Sequence, residues 1–207
     1  MSDRGDPWDR AASSYDRQLG LERRPIEGAL DLLAPTPDER LLDLATGTGA
    51  VLRLLAQRPG RPTRAVGIDR SREMLDRVPE LPPKWRVDEG EAHDLPFADN
   101  AFDIVTCSYL LHVIDDATRD RTLSEIRRVL CPGARVVTVT PTVPRGWLGL
   151  PYRGLVAGLE RVSATAGGLR PLDPLGDLEA AGLEPVRGRY VTGGYPSLCV
   201  LARVAGR

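Results

Sequence analysis

A group of glycines and two carboxylates has the residue types and the spacing to bind a ligand. Gly47 and Gly49 follow a short apolar stretch that contains Asp43, and they precede an apolar-periodic run at 51–56. A strand-to-helix turn made of such small residues would let a ligand approach the backbone closely. Asp69 ends a second apolar stretch 20 residues after Gly49, where an acid can accept hydrogen bonds from a ribose diol. The pair predicts a ribose-bearing ligand, whereas a purely structural interpretation would make Asp69 the cap of the next helix.

The residue at position 52 separates two kinds of nucleotide ligand. A dinucleotide-binding turn has a third glycine three residues after the second, which allows close packing of helix and strand. This sequence has Leu52 at that place, and it contains no phosphate-binding turn of the Gly-Lys-Ser or Gly-Lys-Thr type. The pattern favours an adenosine ligand without a pyrophosphate, and a nicotinamide-dependent oxidoreductase is the weaker alternative.

Strands that alternate with helices must position this turn. Apolar runs with helical patterns between them predict five strands, at 41–45, 65–69, 85–87, 101–107 and 134–139. Strands that are apolar on both faces indicate a parallel sheet covered by helices on both sides, which is the α/β class. Two further strands, at 184–192 and 198–204, have a connection so short that they must be antiparallel.

A single domain accounts for the chain of 207 residues, because no repeat or linker divides it. We expect four parts within residues 1–207. A helical lid in two pieces would occupy 1–38, and a ligand-binding core would occupy 39–141. A substrate-covering helical segment would follow at 142–172, and a helix with the antiparallel strand pair at 173–207.

Composition and charge argue against several classes of function. Acids number 29 and bases 28, and the net charge of −1 disfavours a nucleic-acid partner. The three cysteines are far apart, at positions 107, 131 and 199, so we expect small buried residues rather than disulfides or metal ligands. No apolar run reaches the roughly 20 residues of a membrane span, and the first residues do not resemble a secretory signal. We therefore expect a cytoplasmic protein without a metal.

Four segments resemble the motifs of class I methyltransferases that use S-adenosylmethionine (SAM). The stretch LLDLATGTG at 41–49 is similar to their first motif, and VGIDRSREML at 66–75 is similar to their second. Residues 90–105 are similar to their segment of an acid and an alanine followed by Leu-Pro-Phe and Phe-Asp, and 126–133 to the helix end before their fifth strand. The similarity covers about residues 9–141 and is greatest to the small-molecule branch that includes ubiquinone and menaquinone-type enzymes.

The resemblance implies a Rossmann-like three-layer sandwich that binds SAM. Its seven-stranded, mostly parallel sheet would have the order 3-2-1-4-5-7-6, with strand 7 antiparallel. Asp43 would orient the amino group of SAM, Asp69 would hold the ribose hydroxyls, and Glu91, in place of a commoner Asp, would accept from the adenine amino group. The implied cofactor-binding residues are Tyr15, Asp43, Ala45, Gly47, Gly49, Asp69, Arg70, Met74, Glu91, Ala92 and Cys107.

Several of these assignments have a simpler structural alternative. Ala45 replaces the commoner first glycine of the motif. Arg70 would stack its guanidinium plane on adenine or lie in solvent, and Met74 would flank adenine or belong to the core. Cys107 would offer its backbone carbonyl to the SAM amino group. Tyr15 would reach the SAM carboxylate or be an ordinary core residue.

The acceptor side of the predicted site is less defined. Methyl transfer requires the nucleophile, the methyl group and the sulfur in line with water excluded, and it needs a general base only for a weak nucleophile. His112 is the candidate base, and packing beside the cofactor is its alternative role. We expect a small, partly apolar acceptor in a pocket that includes Tyr109, His112, Trp147 and Tyr152.

The predicted function is methylation of a small molecule, with SAM as the cofactor and S-adenosylhomocysteine (SAH) as the product. O-methylation is favoured over N- or C-methylation, and secondary metabolism is the working hypothesis for its context. Some relatives of this class are cyclases or decarboxylases, which keeps a non-methylating reaction as an alternative. A further alternative is that the protein is a non-catalytic partner subunit. The sequence leaves the oligomeric state open.

Overall fold

Seven strands form one sheet at the centre of the protein. The computed structural model describes residues 7–143 and 171–205, with the side chains of the first helix described from residue 20 onward. The strands, in chain order, are β1 (Arg40–Leu44), β2 (Arg64–Asp69), β3 (Trp85–Glu89), β4 (Phe102–Ser108), β5 (Leu130–Pro141), β6 (Leu183–Val191) and β7 (Ser197–Val204).

The strand order across the sheet is β3-β2-β1-β4-β5-β7-β6. The first five strands pair in parallel, and β7 is antiparallel to both β5 and β6. The connection of five residues between β6 and β7 is too short for a crossover, which is why this pair turns back on itself. The predicted order and the antiparallel seventh strand are confirmed.

Helices cover both faces of the sheet and complete three layers. They are α1 (Pro7–Leu33), α2 (Ala50–Ala56), α3 (Arg72–Leu75), α4 (Asp116–Val129) and α5 (Leu175–Ala180). Successive residues of β1 point to opposite faces: Leu42 packs in a core with Leu123 of α4, and Leu41 packs in a second core with Leu30 of α1 and Leu55 of α2. Within the described part of the chain, no helix combines the length and the apolar character needed to cross a bilayer.

The first helix differs from the prediction of two pieces, since it is continuous from Pro7 to Leu33 although Pro25 lies inside it. A proline has no N–H, so the carbonyl of Leu21, four residues earlier, loses its intrahelical partner. The backbone N–H of Tyr195, just before β7, donates to that Leu21 carbonyl at 3.0 Å. Gly194 allows this approach, because a Cβ there would lie 2.0 Å from the Leu21 oxygen. A tertiary hydrogen bond thus replaces the one that the proline removes.

Candidate active site

The turn between β1 and α2 lies at the carboxyl end of β1, where open α/β sheets bind their ligands. Its backbone is left-handed at Ala45 (φ 52°), Gly47 (φ 55°) and Gly49 (φ 78°). Glycine adopts this conformation freely, whereas a residue with a Cβ is disfavoured there by roughly 1–2 kcal/mol. Ala45 therefore occupies a strained position that the surrounding turn must hold in place.

Asp43 holds the turn together from below. Its side chain is fully buried, and its two carboxylate oxygens accept from the hydroxyls of Thr46 at 2.6 Å and Thr106 at 2.7 Å. Burial raises the pKa of Asp43 to about 7, against the opposing effect of the two hydroxyl donors. The group can therefore change its charge near neutral pH, and a cation nearby would favour the carboxylate.

Asp69 joins the turn to the end of β2. Its carboxylate accepts from the backbone N–H of Gly47 at 2.8 Å and from the backbone N–H of Ser71 at 3.0 Å. Each carboxylate oxygen can accept more than one hydrogen bond. Gly47 and Asp69 are 22 residues apart in the sequence, and this direct hydrogen bond holds them together, as a shared ligand site requires.

Close packing of α2 on the sheet depends on a glycine in β2. A Cβ on Gly67 would lie 2.9 Å from side-chain atoms of Thr46 and 3.0 Å from the Cδ1 atom of Leu52. In a dinucleotide turn the small residue belongs to the helix, whereas here the strand carries it and the helix carries a leucine. The glycine that allows helix and strand to pack closely is therefore Gly67 in β2 rather than a third glycine in the turn.

Polar side chains with ionisable groups meet beyond the ends of β2 and β3. The Arg70 Nε atom lies 3.9 Å from a carboxylate oxygen of Glu91, and the Nδ1 atom of His93 lies 3.7 Å from the other oxygen. Ala92, beside Glu91, is half-buried against the core, and Met74 is 3% exposed. The structure brings Arg70 and Glu91 together, and it places Met74 within packed surroundings.

The carboxyl end of β4 carries a second set of polar groups. Tyr109 adopts a left-handed backbone (φ 57°), and its phenol lies 3.0 Å from the hydroxyl of Ser197. His112 is 7% exposed, with its ring centroid 6.2 Å from that of Tyr109. Among the described residues its Nδ1 atom has no hydrogen-bond partner.

Burial keeps these side chains uncharged. It lowers the pKa of His112 to about 4 and raises the pKa of Tyr109 above its ordinary value despite the hydrogen bond to Ser197. Cys107, at the same strand end, is fully buried, and burial raises the pKa of its thiol to about 12. All three groups are neutral at pH 7.

Sequence reasoning missed several residues of this edge of the sheet. Thr106 contacts Asp43 and Ser197 contacts Tyr109, in each case across residues far apart in the sequence. Neither residue lies in a recognisable motif. Thr46 lies inside the first motif, where a hydroxyl three residues after an aspartate was the available signal. The predicted pocket residues Trp147 and Tyr152 lie outside the described residues, as does the side chain of Tyr15.

The chemistry of the donor set fits SAM. A buried carboxylate, Asp43, suits a positively charged ligand, and Asp69 supplies a carboxylate, the kind of acceptor that a ribose diol needs. The hydroxyl of Thr48, inside the turn, is buried, and it has no hydrogen-bond partner among the described residues. Buried polar atoms are rarely left unpaired, and a polar ligand over the turn would satisfy this one.

Comparison with known proteins agrees with this geometry. A family described as a methyltransferase domain matches residues 41–133. An uncharacterized methyltransferase of Synechocystis is 34% identical over 190 residues, which are 91% of this chain and 88% of that protein. The demethylmenaquinone methyltransferase of Thermotoga maritima is 35% identical over 135 residues; the match spans 63% of this chain and 58% of that protein, less than two thirds of its length.

A solved structure shows the same fold. The SAM-dependent methyltransferase of Aquifex aeolicus superposes with a TM-score of 0.68 at 23% identity, over 98% of this chain and 100% of that one. The sheet order and the turn define a Rossmann-like methyltransferase fold. The chain belongs to the family of SAM-dependent methyltransferases, and SAM is its cofactor.

Proposed function

We propose that this enzyme methylates a small aromatic molecule that carries a hydroxyl group, of the quinol type. The observation that carries the proposal is the similarity to a demethylmenaquinone methyltransferase over 63% of the chain. The neutral, buried phenol and imidazole at the end of β4 support it, because an uncharged aromatic acceptor suits such surroundings. Attack by oxygen, rather than nitrogen or carbon, and a place in secondary metabolism are parts of the same proposal.

The cofactor half of the site, defined here as Asp43, the turn 45–49, Asp69 and the residues around Glu91, would hold SAM. Bound SAM supplies an activated methyl group on a positively charged sulfur. Asp69 would accept from the ribose hydroxyls, Asp43 would orient the amino group, and the backbone of Ala45, Gly47 and Gly49 would face the methionine portion.

The remaining cofactor contacts are proposed for the flanks of the same site. Glu91 would accept from the adenine amino group and the Ala92 backbone would meet the ring. The Arg70 side chain, 53% exposed and held toward Glu91, would stack on adenine. Met74 would flank adenine from the packed side and the Cys107 carbonyl would face the SAM amino group. Tyr15 would reach the carboxylate.

The acceptor half, defined here as the carboxyl ends of β4 and β5 with the start of β7, would receive the substrate. The chain leaves β5 at Pro141 and returns at Leu172, whose N–H donates to the Pro141 carbonyl at 3.0 Å. The segment 142–172 is therefore anchored at this half by both ends, where its Trp147 and Tyr152 are proposed to line the pocket. The start of α1 precedes the docked residues 21–33 and is proposed as a lid.

His112 is proposed to shape the pocket rather than to take up a proton. A general base works best with a pKa near the working pH, and burial lowers the pKa of this imidazole to about 4. Its Nδ1 atom, which has no hydrogen-bond partner in the part of the chain that the structure describes, can accept a hydrogen bond from the acceptor, which would orient the substrate.

Methyl transfer to a reduced quinone tests the proposal. The protein is incubated with SAM and 1,4-naphthalenediol under reducing conditions, and products are identified by mass spectrometry and nuclear magnetic resonance. Methylated naphthalenediol and SAH formed in equal amounts support the proposal, and the spectrum assigns the methyl to oxygen or carbon. SAM that stays intact while the diol is converted would instead support the non-methylating alternative.

A further inference from the structure

A cleft of about 510 Å³ opens at the amino ends of the strands, away from both halves of the candidate active site. β1 runs from Arg40, in the cleft, to Leu44, below the cofactor turn, so roughly 13 Å of strand separates the two places. We call it the basic cleft, because its lining combines an apolar floor with four bases. The floor is Leu41, Val66, Ala101 and Phe102, and the bases are Arg40, Arg64, Lys84 and Arg86.

Three of the four bases stand side by side across the sheet. Arg40 and Arg64 are paired residues of β1 and β2. Lys84 directly precedes Trp85, which pairs with Ala65 of β2, so Lys84 continues the same row. Neighbouring strands lie about 4.8 Å apart, and like charges at such spacing repel each other. An anion within the cleft would relieve this repulsion.

Two of the four bases already have a carboxylate partner. The Nε and Nη2 atoms of Arg40 each donate to one oxygen of Asp103 at 2.9 Å. The Nε atom of Arg86 donates to a carboxylate oxygen of Asp88 at 2.9 Å. Each pair is electrically neutral as a whole, so the positive charge of the basic cleft comes from the other two bases.

Arg64 and Lys84 supply that charge. Both are exposed, and across the parts of the chain that the structure describes, neither side chain has an ion pair or a hydrogen bond. Lys84 is the only lysine among the 28 basic residues of the chain. Its backbone is left-handed (φ 70°), a conformation that is disfavoured for a residue with a Cβ. Two positive charges thus adjoin an apolar floor in a cleft of the size that small molecules occupy.

We propose that the basic cleft binds an organic phosphate monoester, with the phosphate held by Arg64 and Lys84 and the organic portion against Ala101 and Phe102. A phosphate monoester carries between one and a half and two negative charges at pH 7, which matches the two bases. The fork of a guanidinium group can bind two phosphate oxygens at once, and an ammonium group adds a compact charge. This binding site is additional to the methyl-transfer site and does not depend on the identity of the methyl acceptor.

Calorimetric titration of the SAH-saturated protein with phenyl phosphate tests the proposal. The double variant Arg64→Gln/Lys84→Gln should bind it at least about tenfold more weakly than the native protein, and added salt should weaken native binding. The matched control, Arg121→Gln/Arg187→Gln, removes the same charge at exposed positions outside the cleft and should bind as the native protein does. Equal affinity of the native protein and the Arg64→Gln/Lys84→Gln variant, or no binding by the native protein, overturns the proposal.

Inorganic phosphate, titrated in the same way, tests the role of the apolar floor. It should bind at least about tenfold more weakly than phenyl phosphate, because only the ester has an apolar portion to bury. Inorganic phosphate that binds as tightly as phenyl phosphate overturns the assignment to an organic ester.

The single lysine allows the binding site to be located directly. Reductive methylation with ¹³C-labelled formaldehyde keeps the charge of a lysine, and the loss of one signal in Lys84→Gln assigns the resonance of Lys84. Phenyl phosphate should shift this resonance in the native protein and shift it much less in Arg64→Gln at the same concentration. A resonance that stays in place while phenyl phosphate binds overturns the proposal. If the double variant does not fold, as judged by circular dichroism, the two single variants are titrated under the same criteria.

Discussion

The two halves of the carboxyl edge hold their polar groups in opposite electrostatic states. In the cofactor half, Asp69 receives backbone N–H groups at 2.8 Å and 3.0 Å, which favours a negative charge. In the acceptor half, burial suppresses the charge of both His112 and Tyr109. The same sheet edge therefore carries carboxylates in the cofactor half and neutral side chains in the proposed acceptor half.

Asp43 stands between these two states. Its side chain is buried, like those of the acceptor half, but it is a carboxylate, like those of the cofactor half. Its pKa of about 7 reflects both properties. Charge at this position thus depends on what is bound nearby. Four experiments test this contrast between the two halves.

Asp69→Asn removes the negative acceptor of the cofactor half. Hydrogen bonds to charged groups contribute about 1.5–3 kcal/mol, so the affinity for SAH should fall by about 10- to 100-fold in calorimetric titration. Asp76→Asn is the control, because Asp76 is 61% exposed and pairs with Arg72 on the surface. Equal SAH affinity in Asp69→Asn and native protein would contradict the ribose assignment.

The affinity for SAM should depend on pH through Asp43. A bound cation favours the carboxylate, so affinity should fall by about tenfold as the pH drops from roughly 8 to 6 and should level off above the pKa of about 7. Stability has the opposite sign: the folded pKa is raised from 3.8, so the contribution of Asp43 is greatest below 3.8 and declines as the pH rises to about 7. Asp43→Asn should remove the pH dependence of binding, and a dependence that persists would exclude Asp43 as its source.

Gly67→Ala tests the packing under the turn. Its Cβ would lie 2.9 Å from Thr46 and 3.0 Å from Leu52, and overpacking of this kind typically costs about 1–3 kcal/mol. Thermal unfolding should show the loss of stability, and SAH should bind a few-fold more weakly because the turn must shift. Gly176→Ala, whose Cβ would meet nothing within 4 Å, should be neutral or stabilising by up to about 1 kcal/mol. Equal melting temperatures for the two variants would refute the packing role.

His112→Gln should have the smallest effect. Since His112 is proposed to shape the pocket, loss of an imidazole that stays neutral above pH 4 should reduce kcat by less than about tenfold, and the pH–rate profile should keep its shape. A loss of about 10²-fold or more, with a limb of the profile removed, would return the role of base to His112.

The difference between the halves also explains what the sequence could predict. The cofactor half is built from residues 43–71 and from those around Glu91, so two short stretches carry its strand, turn and carboxylates as motifs that the sequence shows. The acceptor half is assembled from distant contacts, such as that of Tyr109 with Ser197, which are 88 residues apart. The continuous α1 is a similar case, because the N–H that replaces the missing bond at Pro25 comes from Tyr195. The strand order could be predicted from the family resemblance. Contacts between residues that are distant in the sequence, by contrast, leave no local sequence pattern.

Product analysis of a single reaction tests the central claim most directly, which is that this edge of the sheet delivers the methyl group of SAM to a hydroxylated aromatic acceptor. The native enzyme is incubated with SAM carrying a ¹³C-labelled methyl group and 1,4-naphthalenediol, and the products are separated and quantified by mass spectrometry. The account predicts labelled methyl on the naphthalene product and an equal amount of SAH. SAH without labelled product, or diol converted while SAM stays intact, would contradict it.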